Sequence, residues 1–226
     1  MNKLGAFISL AHIFKENGFD LYLVGGSVRD YLLFGELDDI DVVSSATPEE
    51  IKKFATFKTD FVYEKFGSVS IHFEGYRIDY TTLREEQSYQ DNRHPNEVHF
   101  VKDIKTDSKR RDFTINAMYM DCHKNVYDFH EGQKDLSLKI IKMIGDPIKR
   151  IQEDPLRILR AIRFALDFDF QIDEELKNSI ETNLNLLEKL NPDKIHQEIH
   201  KIKAPKEKIE KIFSQFHILN YLDMVK

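Results

Sequence analysis

The chain has 226 residues and a formal net charge of −6, which leaves room for one or two domains with a sizeable core. Its 41% hydrophobic and 32% charged residues are the proportions of a soluble globular protein, and no apolar run reaches the ~20 residues that a membrane-spanning helix needs. The single Cys122 excludes an internal disulfide and a cysteine-based zinc site. With an amphipathic N-terminus that lacks a small-residue cleavage site, these features point to a cytoplasmic protein. The acidic balance does not advertise a nucleic-acid partner, but local charge counts for more than the total.

The spacing of Leu4, Phe7, Ile8, Ala11 and Phe14 predicts a helix from about Lys3 to Glu16. Leu21–Val24 reads as a strand that stops at Gly25-Gly26, where the backbone can turn and approach a ligand closely. Ser27-Val28-Arg29-Asp30 then opens a short helix with Val28, Leu32 and Leu33 on its apolar face. The next strand carries Asp39-Ile40-Asp41. Residues two apart in a strand share a face, so both carboxylates are expected to point one way while Ile40 and Val42 enter the core. Two carboxylates held together repel unless a cation sits between them, and Mg²⁺ is the natural one beside substrate phosphates. A glycine turn, a helix N-terminus and an adjacent arginine can hold a triphosphate. Either feature by itself is an ordinary turn or an ordinary solvated strand edge; the pair on consecutive strands is harder to obtain by chance.

Thr47-Pro48-Glu49-Glu50 has the cap, proline and acids of a helix start, and that helix runs through Phe54. Ser68–Phe73 alternates strictly, Glu74-Gly75 is a hairpin turn, and Tyr76–Thr82 is the partner strand with Asp79 on its polar side. Arg84 to Asp107 is polar with weak structure signals, and long segments of that kind are usually functional or disordered. After about Gly145 strand signals vanish. Helical patterns cover residues 155–166, 173–183, 192–203, 206–213 and 217–222. The expectation is therefore an α+β head over residues 1–142, a mixed sheet with flanking helices. An all-helical neck over 143–204 follows it, and 205–226 reads as the start of a helical body domain cut short.

Three further stretches carry chemistry. Arg110 and Arg111 are bidentate donors suited to phosphates, with Asp112 and Asn116 expected one helical turn apart on one face. Asp154, Arg157, Arg160 and Arg163 recur at a spacing of three, which is either a salt-bridged helix or a ligand-facing row. Six lysines from Lys194 to Lys211 form either a solvated face or an RNA-facing stripe, in which Lys194, Lys201 and Lys203 carry the RNA reading. His196 and His200 lack a companion carboxylate or thiol cluster and read as solvated rather than zinc ligands.

GGSVRD at 25–30 followed by DID at 39–41 resembles the signature of class II tRNA nucleotidyltransferases (CCA-adding enzymes) and bacterial poly(A) polymerases, within the polymerase-beta-like nucleotidyltransferase superfamily. DYTTLR at 79–84, RRDFTINAM at 110–118 and EDPLRILRAIRFA at 153–165 are similar to further motifs of that family, in family order and spacing. DFHEGQKDLSLK at 128–139 and NPDKIHQEIHKI at 191–202 match its head-to-neck link and neck helix more weakly. The family more often has Glu where Asp79 stands and Arg where His94 stands. The resemblance implies that Asp39, Asp41 and Asp79 hold two Mg²⁺ ions. It implies that Gly26, Ser27, Arg29, Arg110, Arg111, Asp112 and Asn116 bind the nucleotide's phosphates and ribose. EEQSYQDNRHP at 85–95 stands where the family's flexible loop stands.

By the same resemblance, Asp154 and Arg157, with Arg160 and Arg163 continuing the row, read the Watson–Crick edge of the incoming base. The implied activity is template-independent addition of C, C and A to tRNA 3′ ends from CTP and ATP. Poly(A) synthesis and CC-only or A-only addition share the motifs; a non-catalytic RNA-binding module is the reading from another class. No membrane partner is implied. Family members usually extend into body and tail domains, so a partner subunit or dimer is an expected way to complete the tRNA-binding surface.

Overall fold

The computed structural model of the protein describes residues 1–89 and 95–225. In chain order it forms α1 (Lys3–Glu16), β1 (Leu21–Val24), α2 (Gly26–Phe34), β2 (Asp41–Ser44), α3 (Pro48–Phe54), β3 (Lys58–Asp60), β4 (Ser68–Phe73), β5 (Tyr76–Thr82), β6 (Arg84–Tyr89) and β7 (Pro95–Phe100). There follow α4 (Ile104–Ser108), β8 (Met118–Met120), β9 (Val126–Asp128), α5 (Gly132–Leu138), β10 (Ile140–Ile141), α6 (Pro147–Glu153), α7 (Leu156–Phe168), β11 (Gln171–Ile172), α8 (Glu174–Asn183), α9 (Pro192–Ile199) and α10 (Lys206–Gln215). The chain divides into two compact units. The first holds Met1–Ser88, Pro95–Arg111 and Ile115–Gln133; the second holds Asp112–Thr114 and everything from Lys134 on.

The first unit is built on a seven-stranded mixed sheet in the order β3-β4-β5-β2-β1-β8-β9. Only β2 and β5 run parallel, and Asp41 lies opposite Asp79 in their register. On one face α1 and α3 supply Phe14 and Phe54, whose rings meet edge to face at 5.1 Å; Phe14 also packs 5.7 Å from Tyr80 of β5. The other face is closed over its centre by Val24, Val43, Leu83 and Tyr119, with Val101 and Ile104 against them. That cover does not extend over β3, β4 and β5, whose outward residues Asp60, His72, Arg77 and Asp79 are exposed. Thr47 makes the expected capping box with Glu50 at the start of α3.

The second unit is helical, with one exception to the sequence reading. Strands do not vanish after Gly145, because β11 pairs in parallel with β10. Residues 112–114 also join this unit: Thr114 N–H donates to Lys142 O, and Ile144 N–H donates to Asp112 O. Phe113 is fully buried and meets Phe164 of α7 edge to face at 5.7 Å. The two units divide at Gln133/Lys134, and the described residues from 205 on belong to the second. Periodicity carried the predicted helix over 192–203 past His200; the described α9 ends at Ile199. Within 84–107 the described residues hold more secondary structure than their polarity indicated, since β6 and β7 form a two-stranded sheet and α4 follows. Residues 90–94 of the loop motif, His94 among them, lie outside the described residues.

Candidate active site

In the first unit the site is assembled from two loop-to-element junctions, those into α2 and β2, and from the middle of β5. Gly25 caps α2 with φ +64°, a left-handed conformation that side-chain-bearing residues rarely adopt, so the turn after β1 requires glycine. The turn brings Ser27 under the next strand. The Ser27 hydroxyl donates to Asp39 O (2.9 Å) and accepts from Asp41 N–H (2.8 Å), so one buried side chain fixes the backbone between the two carboxylates. The expected strand through Asp39 begins two residues later. Asp39 sits in an exposed bend, while Asp41 opens β2 and is partly buried.

Asp41 is the most perturbed carboxyl of this group. Burial pushes it up to about 6, and the neighbouring charges of Asp79 and Asp39 push the same way; Arg111 and Arg29 only partly offset them. Asp79 is exposed and accepts from Arg77 Nε at 3.0 Å, and its N–H donates to Ile40 O. Among the described residues, no three carboxylate, histidine or cysteine side chains converge on one point as ligands of a metal would. The three aspartates are electrostatic neighbours whose repulsion Arg111, Arg29 and Arg77 offset only in part. That donor set, hard oxygen atoms with a surplus of negative charge, fits a divalent cation such as Mg²⁺.

Behind the carboxylates lies a residue that sequence reasoning passed over. Asp107 of α4 is completely buried. Its Oδ1 accepts from Arg110 Nε (2.9 Å) and Arg84 N–H (3.0 Å). Its Oδ2 accepts from Arg111 Nη2 (3.0 Å) and from the Tyr119 hydroxyl (2.7 Å). Burial alone would raise this carboxyl, but Arg111 and Arg110 outweigh it and hold it down at about 2. The signal was available: Asp107 stands three and four residues before Arg110 and Arg111, the spacing of helical ion pairs. Arg29 is likewise buried, and its Nη1 donates to Asn116 Oδ1 at 2.7 Å. Asn116 ends a single turn of 3-10 helix (Thr114–Asn116) in place of the α-helical turn expected to align it with Asp112. Gly26, Ser27, Arg29, Asp39, Asp41, Asp79, Arg110, Arg111 and Asn116 all belong to the first unit.

The second unit holds the remaining candidates. Asp112 accepts from Arg160 Nε at 2.7 Å; burial would raise its carboxyl, but Arg160 holds it below the ordinary range. Asp154 ends α6 and accepts from Leu156 N–H at 3.1 Å, across Pro155, the N-cap of α7. Arg157 is buried and donates through Nη1 to Arg150 O (2.6 Å) and Glu153 Oε2 (3.0 Å). Arg163 donates through Nε to Glu198 Oε1 at 2.6 Å. The row at spacing three is therefore paired with acids, some local and some distant in sequence. Glu198 was also passed over. It is buried on the stripe of α9 that carries Ile195 and Ile199, and an acid on an apolar stripe was the clue. Lys201 reaches the same Glu198 at 3.1 Å, Lys203 is exposed with its N–H donating to Asp167, and Lys194 is half-buried. His196 and His200 stack at 5.1 Å on the exposed side of α9.

Comparison with known proteins agrees with this architecture. Residues 21–142 match the family model of the poly A polymerase head domain. The CCA-adding enzyme of Lactobacillus helveticus is 42% identical over 188 residues, which is 83% of this chain and 47% of that protein. That of Ligilactobacillus salivarius is 44% identical over 201 residues, 87% of this chain and 49% of its own length. In structure, the Bacillus stearothermophilus CCA-adding enzyme in complex with CTP superposes with a TM-score of 0.80 at 32% identity, over 89% of this chain and 49% of that one. The Thermotoga maritima CCA-adding enzyme complexed with tRNA gives 0.75 at 31% identity, over 96% and 51%. The chain spans about half the length of the curated relatives it matches. With that family model matched over residues 21–142 and relatives at 42% and 44% identity over most of its length, the chain belongs to the poly A polymerase head-domain family, the family of the CCA-adding tRNA nucleotidyltransferases and bacterial poly(A) polymerases.

Proposed function

We propose that this chain carries the catalytic part of a template-independent tRNA nucleotidyltransferase that adds C, C and then A to tRNA 3′ ends from CTP and ATP. The observation that carries the reading is the Asp41–Asp79 pair: two carboxylates in register on adjacent parallel strands, with Asp41 pushed up to about 6 by burial and like charge. The relatives in sequence are CCA-adding enzymes, and solved relatives are described in complex with CTP, with ATP and with tRNA.

In the reaction the RNA 3′-hydroxyl oxygen bonds to the α-phosphorus of the nucleotide, the bond from that phosphorus to the β-phosphate oxygen breaks, and pyrophosphate leaves. Asp39, Asp41 and Asp79 would hold two Mg²⁺ ions, which when bound acidify the attacking hydroxyl and neutralise the leaving pyrophosphate. Ser27 keeps the two ends of the Asp39–Asp41 bend in fixed relation. The glycine turn at Gly25-Gly26 and the start of α2, with Arg29, Arg110 and Arg111, supply N–H and guanidinium donors of the kind that cradle a triphosphate. Asp112 and Asn116 serve the ribose. Asp154 accepts from the exocyclic amine that cytosine and adenine share, and Arg157 donates to the adjoining ring nitrogen. The bonds from Arg157 Nη1 to Arg150 and Glu153 fix the guanidinium plane for that task. Arg160 and Arg163 hold the helix through Asp112 and Glu198. A partner subunit or further domains would complete the grip on tRNA, through Lys194, Lys201 and Lys203 on this side.

Incubating tRNA that lacks its CCA end with each labelled nucleotide tests the reading. Incorporation of C followed by A is expected. A long A tail would assign the chain to poly(A) synthesis, and no incorporation beside intact nucleotide binding would reduce it to a binding module.

A further inference from the structure

The edge strands of the first unit carry a pattern that the nucleotide site does not use. The register of β3, β4 and β5 places Asp60 opposite Ser70 and Ser70 opposite Asp79, and Asp79 stands opposite Asp41 on β2. One rung along, Lys58 stands opposite His72, and His72 opposite Arg77. Register partners share a face, as do residues two apart on a strand. An acidic rung and a basic rung therefore lie side by side on the same surface. It is the wet surface: Lys58, Asp60, His72, Arg77 and Asp79 are exposed, while the intervening Ile71, Ile78 and Tyr80 fill the core. The rungs, Lys58 excepted, border a cavity of about 370 Å³ lined by Asp60, Ser70, His72, Arg77 and Asp79, with Tyr63 at its wall. Tyr63 is 65% exposed, so its aromatic face has no packing task of its own.

We propose that this face seats the last nucleotide of the RNA that is extended, a reading that rests on the activity proposed above. The terminal ribose, with its 3′-hydroxyl, lies at the Asp79 end. The 5′-phosphate of the same nucleotide lies on the Lys58–His72–Arg77 rung, and its base stacks on Tyr63. Two residues along a strand advance ~6.5–7 Å, the same order as the span from a ribose 3′-hydroxyl to its own 5′-phosphate. The charge also selects the occupant. The basic rung faces two carboxylates, Asp60 and Asp79, so the face is close to neutral. It suits a single phosphodiester and offers no cationic excess to hold the triphosphate of a free nucleotide. Exposed aromatic rings beside cationic groups are the usual platform for single-stranded RNA, because every base has a face to stack.

The test uses the whole chain and a 5′-fluorescein oligoribonucleotide of about a dozen residues ending in CC, titrated by anisotropy at several salt concentrations. Two variants are compared with the parent: Lys58→Gln combined with His72→Gln, and Tyr63→Ala. All three positions are exposed, so circular dichroism is expected to be unchanged. Each variant is expected to weaken oligoribonucleotide binding about tenfold. The charge variant is also expected to lower the salt slope by about 0.7, the loss of one phosphate contact on a single strand. CTP affinity, measured by calorimetry on the same samples, is expected to stay within about twofold of the parent. Unchanged RNA affinity, a parent that binds no RNA, or a loss of CTP affinity in its place would overturn the assignment. Nucleotide incorporation is scored separately. Binding through this rung without any incorporation would count against the proposed activity and leave the seat itself standing.

Discussion

Two aspartates of the first unit, the partly buried Asp41 and the fully buried Asp107, sit at opposite extremes of carboxylate chemistry. Both lose hydration, which by itself raises a carboxyl. Asp107 is surrounded by Arg110, Arg111, the Arg84 N–H and the Tyr119 hydroxyl, and is held at about 2. Asp41 has acids as its near neighbours and reaches about 6. Folding has therefore completed one site and left the other electrically open. Where the chain needs a charge for its own structure, it supplies the counter-charges. Where it leaves repulsion only partly relieved on a strand terminus, the missing charge is expected from outside, which is the usual reason for strongly perturbed groups to collect at functional sites.

The largest effect expected from this contrast is in activity. Asp41→Asn should lower the rate of nucleotide incorporation by at least about a thousandfold, as removal of a group that stabilises charge in the reaction does. The same substitution should not destabilise the fold. With its carboxyl near 6 in the folded state against 3.8 ordinarily, the native protein holds the proton more tightly than the unfolded chain. Stability falls as pH rises between about 4 and 6, and the full penalty, about 1–3 kcal/mol, persists above that window. Denaturation curves should therefore show Asp41→Asn more stable than the parent at pH 8 and equal to it near pH 4. A variant that is equally active, or less stable at pH 8, would break the contrast.

Next in size is Asp107→Asn, with the opposite sign. Removing this carboxylate leaves Arg110 and Arg111 partly buried beside a neutral amide, which should cost about 3–5 kcal/mol in urea unfolding at pH 7. The parent's carboxyl lies below its ordinary value, so its contribution is present above about pH 4 and is lost as pH falls toward 2. The difference between parent and variant should accordingly shrink across that acid range.

The same contrast explains what the sequence disclosed. Strands β1, β2, β4 and β5 were legible because apolar runs, alternation and turn residues report local geometry; that Asp79 belongs with Asp41 came only from the family resemblance, and their register on parallel strands is a finding of the structure. The counter-charges were less legible. Arg160 finds Asp112 forty-eight residues away and Arg163 finds Glu198 thirty-five away, and no local spacing encodes such partners. Strand β3, three residues with two of them exposed, carries no periodicity to detect, yet it supplies Lys58 and Asp60. The 3-10 turn at Thr114–Asn116 was read as α-helix because both repeat at about three residues; in the structure Phe113, directly before the turn, is bridged to Met143 and so stands in extended pairing where a helix was expected.

The smallest expected effect sharpens the contrast most. Arg77 and Asp79 form an ion pair at 3.0 Å with 67% and 54% of their side chains exposed. Water solvates both charges almost as well as they solvate each other, so such a pair contributes little to folding. Arg77→Gln should therefore shift stability by less than about 0.5 kcal/mol at 150 mM salt. If Arg77 were a structural counter-charge, as Arg111 is for Asp107, the loss would be several times larger and insensitive to salt. A change within 0.5 kcal/mol, accompanied by weaker binding of the oligoribonucleotide, would mean that Arg77 holds its position on the open side of the molecule for a ligand's phosphate and not for the fold. The basic rung would then await a ligand's phosphate and the acidic rung a cation, so that each half is completed by a charge opposite to its own.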